Sequence, residues 1–145
     1  MADANSAQLW VRLVTPERIL IDRPADAVEL PSKSGYMEVL LGHAPLLTLL
    51  GSGEVRLHGG EGAGASGVQR FHVSWGFAEV LPERVTILAD AALKPEELDP
   101  AAAQHELDDG HTMWDEAGDD AERYARANEI IADAESKLSS VADKS

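Results

Sequence analysis

Apolar and polar side chains alternate in short segments from Gln8 to Asp90. Leu9, Val11 and Leu13 alternate with Trp10, Arg12 and Val14, the period-two signature of a half-buried strand. Thr15-Pro16-Glu17 makes a turn into a short strand at Ile19-Leu20-Ile21, and Ala27–Leu30 forms another that Pro31 is expected to end. Ser32-Lys33-Ser34-Gly35 reads as a hairpin turn leading into Tyr36–Leu41. The stretch Gly42-His43-Ala44-Pro45 is a tight loop, its proline barring helix, and it feeds an apolar run, Leu46–Leu50, read as a buried strand. Glu54–His58, Val68–Ser74, Gly76–Leu81 and Arg84–Ala89 complete the set, the last two joined across Pro82-Glu83. Eight or nine short strands at this spacing predict a β-sandwich, a flattened antiparallel barrel. No crossover helix lies between them, so parallel pairing is not expected.

The period changes after Lys94. Asp99-Pro100 pairs an N-cap residue with a proline at the first helical position. Ala103, Leu107, Gly110 and Trp114 then fall on one helical face. Ala117-Gly118 breaks that helix, and Asp119 with Glu122 resembles a capping box for the next. There Ala121, Tyr124, Ala127, Ile131, Ala134, Leu138 and Val141 recur at spacings of three and four. The result is a C-terminal α-helical hairpin with a mostly alanine stripe, anchored by Leu107, Trp114, Tyr124, Ile131 and Leu138. Glu122–Arg126 and Asp133–Lys137 are favourable i,i+4 pairs, whereas Glu129–Asp133 is repulsive. Two parts are expected: a sandwich over 1–92 and a hairpin over 93–145.

Charge reinforces this division. The chain carries a net charge of −14. Residues 99–145 contribute 13 acids against 4 bases, a composition break near Asp99. A chain this acidic lacks the basic face that nucleic acid or anionic lipid requires. No apolar run approaches the ~18 residues of a membrane span, and Met1–Asn5 lacks the basic and apolar regions of a signal peptide. A soluble, unexported protein is therefore expected, with any membrane association made through another protein. The lack of cysteine excludes disulfides and thiolate metal sites.

Candidate chemistry is sparse. His43 would need a nucleophile or carboxylate beside it to act as a base, and its neighbours are apolar apart from Thr48. Ser74-Trp75-Gly76 lacks the surroundings of a nucleophile elbow, so Trp75 reads as a packed or interface aromatic. The glycine-rich stretch Gly59–Gly67 precedes a strand rather than the helix a phosphate loop needs, so it reads as a hairpin tip. His105, Asp108, Asp109, His111, Asp115, Asp119 and Asp120 cluster in sequence. The two histidines are off i,i+4 spacing and the acids form no EF-hand loop, so a solvated acidic face is the reading and no metal is assigned.

Three ordered segments carry a resemblance: Gly42-His43-Ala44-Pro45-Leu46-Leu47-Thr48, Gly53-Glu54-Val55-Arg56, and Trp75–Val80 with Val85–Asp90. Together they resemble the epsilon subunit of F-type ATP synthases over about the first two-thirds of the chain. The resemblance implies a β-sandwich followed by a helical hairpin, no catalytic residues and no cofactor. It implies a rotor subunit of the central stalk whose sandwich contacts the gamma subunit and the c-ring through Tyr36, Met37, Glu38, Gly42, His43, Ala44, Pro45, Leu46, Leu47 and Trp75. The hairpin would act on the catalytic alpha/beta hexamer as a brake on ATP hydrolysis, and the location would be peripheral, on the cytoplasmic side of a bacterial inner membrane. Some family members bind ATP on the hairpin through an Asp-x-x-Arg motif. Here Asp99 matches, the arginine position is Ala102, and tight nucleotide binding is not expected. Family hairpins are usually basic and this one is acidic, so weak inhibition is expected. The alternative from the residues alone is a free-standing acidic β-sandwich module that binds a small ligand or divalent cation.

Overall fold

A computed structural model of the chain describes residues 8–60 and 66–142. Contacts divide the chain into two compact units, Met1–Ala92 and Leu93–Ser145. Each is described by itself.

The first unit holds seven strands: β1 (Leu9–Val14), β2 (Ile19–Ala25), β3 (Ala27–Ser32), β4 (Gly35–Leu40), β5 (Leu46–His58), β6 (Val68–Val80) and β7 (Arg84–Leu93). They form one curled sheet in the order β2-β1-β7-β6-β5-β3-β4. This is the expected sandwich, with three corrections. The strand count is seven, because Leu46–Leu50 and Glu54–His58 are one strand, and so are Val68–Ser74 and Gly76–Val80. One pair, β1 with β7, is parallel, in register from Trp10↔Arg84 to Val14↔Leu88. Its crossover is the rest of the domain rather than a helix. Pro31 does not end β3 but lies buried within it. It is tolerated because the β3/β5 ladder is irregular between Glu29 and Ser32, where a missing N–H removes no bond. Pro24 likewise sits in the edge strand β2.

The fusion of short strands into long ones follows from a change of inward parity. Along β5 the buried apolar positions are Leu50, then Val55 and Leu57; along β6 they are Phe71 and Val73, then Ala78 and Val80. Both strands therefore rotate their inward side between Gly51 and Ser52 on one and Ser74 and Gly76 on the other, without breaking register. Trp75 (φ 58°) and Gly76 (φ 119°) make this corner. A Cβ on Gly76 would collide with the Leu88 carbonyl and lie 2.9 Å from the Ala89 Cα, so only glycine lets β6 pass β7 here. The core is aliphatic around Phe71: Leu9, Val11 and Leu13 from β1, Val28 and Leu30 from β3, Val39 from β4, and Val85 and Ile87 from β7.

The second unit holds a 3₁₀ turn (Pro95–Glu97), α1 (Pro100–Glu116) and α2 (Ala121–Ala142). Asp99 caps α1 by accepting from the Ala101 N–H at 3.0 Å. The cap of α2 is Asp120, not the expected Asp119: its Oδ1 accepts from the N–H groups of Glu122 and Arg123. The helices approach closely because Ala103, Gly110, Ala127 and Ala134 are buried between them. A Cβ on Gly110 would lie 2.8 Å from Ile131 Cγ1. Trp114, expected as an anchor of the hairpin stripe, is 45% exposed and meets Tyr124 in a T-shaped contact, with centroids 5.4 Å apart.

Across the seam, Lys137 Nζ bridges Glu106 at 3.1 Å and Asp133 at 3.1 Å. Burial pushes the Lys137 pKa down, but the hydrogen bonds and charges of Asp133 and then Glu106 push it up more strongly, so it sits above the usual lysine value. A raised folded-state pKa means this stabilisation is complete below the unfolded value of about 10.4 and is lost as pH rises through the folded value. Lys137→Met should therefore lower hairpin stability at neutral pH by about 0.5–1 kcal/mol, read as helical CD in a thermal melt. The gap between variant and wild type should close only in strongly alkaline buffer. An equal gap throughout the alkaline range would show that packing of the lysine stem, not its charge, is what matters.

Candidate functional site

The loop between β4 and β5 is held at three points. Gly42 N donates to Pro82 O at 2.7 Å, which ties it to the β6–β7 turn. His43 N donates to Leu40 O at 3.1 Å. The His43 ring lies 2.7 Å from the Ala44 carbonyl through Nδ1. A carbonyl only accepts, so Nδ1 carries the proton and the ring is spent on shaping the turn. Ala44 and Pro45 are exposed and His43 is half-buried.

The following run departs from expectation. Of Leu46–Leu50, only Leu50 is buried; Leu46, Leu47 and Leu49 face solvent, Leu47 at 68%. In the β5/β6 register Leu49 lies opposite Phe77, which is also exposed, and Leu47 opposite Glu79. With Leu40 and Leu41 at the loop's entry, these residues make an apolar surface at one end of the sandwich. Exposed leucine and phenylalanine side chains in cross-strand register, as Leu49 and Phe77 are beside Leu47, mark a docking surface rather than a solvated one. Leu40, Leu41, Leu49 and Phe77 escaped the sequence reading. The available signal was apolar residues at both parities in Leu46–Leu50, which forces one set outward if the other faces the core.

Trp75 adjoins this surface from the corner. It lies between the pairs Leu50↔Gly76 and Ser52↔Ser74, and Lys33 Nζ sits 5.8 Å from its ring centroid. The Lys33 N–H also bonds the Leu49 carbonyl, so the β3–β4 turn, Leu49 and Trp75 share one neighbourhood. Tyr36 points elsewhere. Its hydroxyl accepts from the Glu54 N–H at 2.8 Å and its ring lies 5.9 Å from the Arg56 guanidinium. Met37 is half-buried against the core, and Glu38 is exposed opposite Glu29. The expected interface residues thus fall into three groups: Gly42–Leu47 on the loop, Trp75 with Lys33 at the corner, and Tyr36–Glu38 on the edge strand.

The other half of β5 and β6 carries a charge ladder. Glu54, 4% exposed, accepts from Arg56 Nε at 2.9 Å and from Arg70 through Nε at 3.1 Å and through Nη2. Glu29 bonds His58 and lies 3.8 Å from Arg56. A buried carboxylate held by two guanidinium groups, as Glu54 is, is a structural fitting. Ser52 Oγ and His72 Nε2 are 3.4 Å apart, long for a hydrogen bond, and His72 is 1% exposed.

In the second unit, the Asp99 carboxylate is engaged in capping α1, and Ala102, at the arginine position of the motif, is exposed. His105 Nδ1 pairs with Asp109 at 3.2 Å on the helix surface. Among the described residues, no group of three or more His, Asp or Glu side chains is placed to share an ion. The glycine-rich tip expected over Gly59–Gly67 falls largely outside the described residues; its ends are joined by Gly59 N to Gly67 O at 2.9 Å.

Comparison with known proteins completes the picture. Residues 8–95 match the family model described as ATP synthase, Delta/Epsilon chain, beta-sandwich domain. The chain is 45% identical over 93 residues to the ATP synthase epsilon chain of Koribacter versatilis, covering 63% of this chain and 61% of that one. It is 40% identical over 115 residues to the epsilon chain of a Synechococcus strain, covering 79% and 80%. Against the epsilon chain of Magnetococcus marinus it is 36% identical over 135 residues, covering 88% and 95%. In fold it is similar to a chain of the cryo-EM structure of Euglena gracilis mitochondrial ATP synthase (OSCP/F1/c-ring), with TM-score 0.76 and 20% identity over 93% of this chain and 82% of that one. A sandwich matched over its whole length, with relatives above one-third identity that extend through the helices, shows that the chain belongs to the ATP synthase epsilon-chain family.

Proposed function

We infer that this chain is a non-catalytic subunit of the central stalk of a proton-translocating F-type ATP synthase, and that the sandwich is its assembly module. The observation that carries the reading is the exposed apolar end of the sandwich, Leu40, Leu41, Leu46, Leu47, Leu49 and Phe77. Covering a surface of that composition removes apolar area from water, which is why exposed patches of this kind mark protein interfaces. In this reading the loop Gly42–Leu47 meets the ring of membrane subunits, and the corner at Trp75 meets the gamma subunit. Torque passes through the sandwich because its long strands β5 and β6 are rigidly paired along their length. No helix of the described residues is long and apolar enough to cross a membrane. The location would be peripheral, on the cytoplasmic side of a bacterial inner membrane, held there by its partners rather than by lipid.

The hairpin is the regulatory part of this reading, a brake on ATP hydrolysis exerted on the alpha/beta hexamer. Its charge makes that brake weak against acidic surfaces.

The interface assignment is tested by separating folding from assembly. Leu47→Asp, or Asp in place of His43 or Leu46, should abolish co-elution with gamma and the ring on gel filtration, because a buried unpaired charge costs several kcal/mol. Trp75→Gly should hold or raise the urea midpoint, since it relieves a non-glycine left-handed conformation worth about 1 kcal/mol, and yet should weaken assembly. Wild-type co-elution of these folded variants would remove this surface from the interface.

The regulatory assignment makes its own expectations. A chain lacking residues 99–145 should keep a folded sandwich and assemble, with ATP hydrolysis by the reconstituted complex rising less than about tenfold, ~1.4 kcal/mol. Calorimetry should find MgATP binding to the whole chain no tighter than about 1 mM. A larger release of hydrolysis, or micromolar nucleotide affinity, would overturn the weak-brake reading.

A further inference from the structure

Among the described residues the curled sheet ends on two open edges, β2 and β4. An open edge is a template for a further strand unless something blocks it. β2 contains Pro24, the kind of residue that guards an edge, whereas β4 contains no proline. The open side of β4 can be assigned residue by residue. In an antiparallel pair, alternate residues direct both backbone groups toward the neighbouring strand and the rest direct them away. Pro31, opposite Tyr36, has no N–H to exchange with it, and the Leu40 carbonyl accepts from His43 N rather than from β3. Tyr36, Glu38 and Leu40 therefore present their backbone groups to the open side, while Met37 and Val39 bond β3.

The side chains of the same three residues define what kind of strand fits. A charged row crosses the sheet in register: Arg70 on β6 opposite Arg56 on β5, Arg56 opposite Glu29 on β3, and Glu29 opposite Glu38 on β4. Its inner members are matched, since Arg70 and Arg56 share the buried Glu54, and Glu29 meets Arg56 and His58. Glu38 has no side-chain partner among the described residues and lies directly opposite a like charge. Like charges opposed across a ladder are destabilising, and a cation on the next strand out would offset that. Tyr36 and Leu40, which flank Glu38 on this face, are 56% and 52% exposed. Leu40 also leads into the apolar end of the sandwich, so an added strand would be continuous with that surface. A second copy of this chain does not fit, because antiparallel pairing of β4 with itself about Glu38 sets two carboxylates against each other.

We propose that the open edge of β4 takes an extended antiparallel strand from a partner protein, with a lysine or arginine opposite Glu38 and apolar side chains opposite Tyr36 and Leu40. Main-chain bonds to Tyr36, Glu38 and the Leu40 N–H supply the attachment, and the alternating side chains supply the selectivity. The contact goes beyond the assembly reading above, which rests on side chains at the loop and the corner and needs no strand pairing.

The test uses the whole chain and the synthetic peptide Thr-Ile-Thr-Lys-Thr-Ile-Thr, followed by amide NMR. Two controls accompany it: the same peptide with glutamate in place of lysine, and a form N-methylated at the lysine and both isoleucines. The lysine peptide should shift the Tyr36, Glu38 and Leu40 amides saturably. Amide exchange should slow at Tyr36 and Glu38 and change little at Met37 and Val39, whose N–H groups already bond β3. Affinity should fall about fivefold for the glutamate peptide and be lost for the N-methylated one. In Glu38→Lys, a change at an exposed position, the preference should reverse toward the glutamate peptide. The absence of a saturable shift at about 2 mM lysine peptide would overturn the proposal. So would equal binding of the N-methylated form, or an unchanged preference in Glu38→Lys. Neither gamma nor the ring takes part, so the outcome is separate from that of the co-elution test.

Discussion

The close approach of β6 to its neighbour β7 at Gly76 is the constraint on which the sandwich depends. Here the backbone of one long strand lies against Leu88 and Ala89 with no room for a side chain, and the positive φ values of Trp75 and Gly76 turn the strand's inward side by one residue. Without that turn, β5 and β6 could bury only one parity of side chains along their length, and half of the present core would face water. With it, Leu50, Ala78 and Val80 serve the core on one side of the corner and Val55, Leu57, Phe71 and Val73 on the other. The curl also brings β7 beside β1 in the sole parallel pairing of the ladder, among the described residues.

The same turn decides what the outward faces become. Before the corner the outward positions are Leu47, Leu49 and Phe77, with Glu79 opposite Leu47, and Trp75 at the corner against Lys33. Beyond it they are Glu54, Arg56, Arg70 and His58, locked into alternating charge with Glu29. Removing the guanidinium partners of the buried Glu54 would leave a desolvated carboxylate, a cost of several kcal/mol, so that half acts as a stiffening element. The apolar half has the opposite character: its side chains make few internal contacts and gain only when something covers them. One hairpin therefore supplies both a rigid strut and an adhesive end, which suits a part that must carry mechanical load between partners.

Much of this was legible in the amino-acid order. Alternation at Leu9–Leu13 and Arg84–Ala89 located β1 and β7, and Asp99-Pro100 marked the first residues of α1 correctly. The errors share a cause. Leu46–Leu50 was read as buried, Trp114 as a core anchor, and the two long strands as four, because apolar content was equated with burial and a local turn with a strand end. A change of inward parity leaves no compositional mark beyond a small residue or two, here Gly51, Gly53 and Gly76, and these look like turn residues in sequence. Pro31 misled for a related reason, since whether a missing N–H matters depends on a ladder irregularity that only pairing reveals. The capping error at Asp119 was a single residue, within the ordinary uncertainty of helix ends.

The hairpin follows a different logic. Its seam is made of Ala103, Gly110, Ala127 and Ala134, which let two helices approach closely but each remove little apolar surface from water. Larger residues at its margins, Leu107, Ile131 and Leu138, are only partly buried. Close approach of small residues gains through dispersion, which decays steeply with separation, so such a seam is firm when closed and worth little once parted. Lys137, shared between Glu106 and Asp133, adds one polar clasp. Against these stand carboxylates spread over both helices, whose mutual repulsion is relieved by salt, by separation of the helices or by a basic partner. An alanine-lined hairpin with this charge distribution is therefore held by less buried apolar surface than the sandwich, which has its own aliphatic core around Phe71.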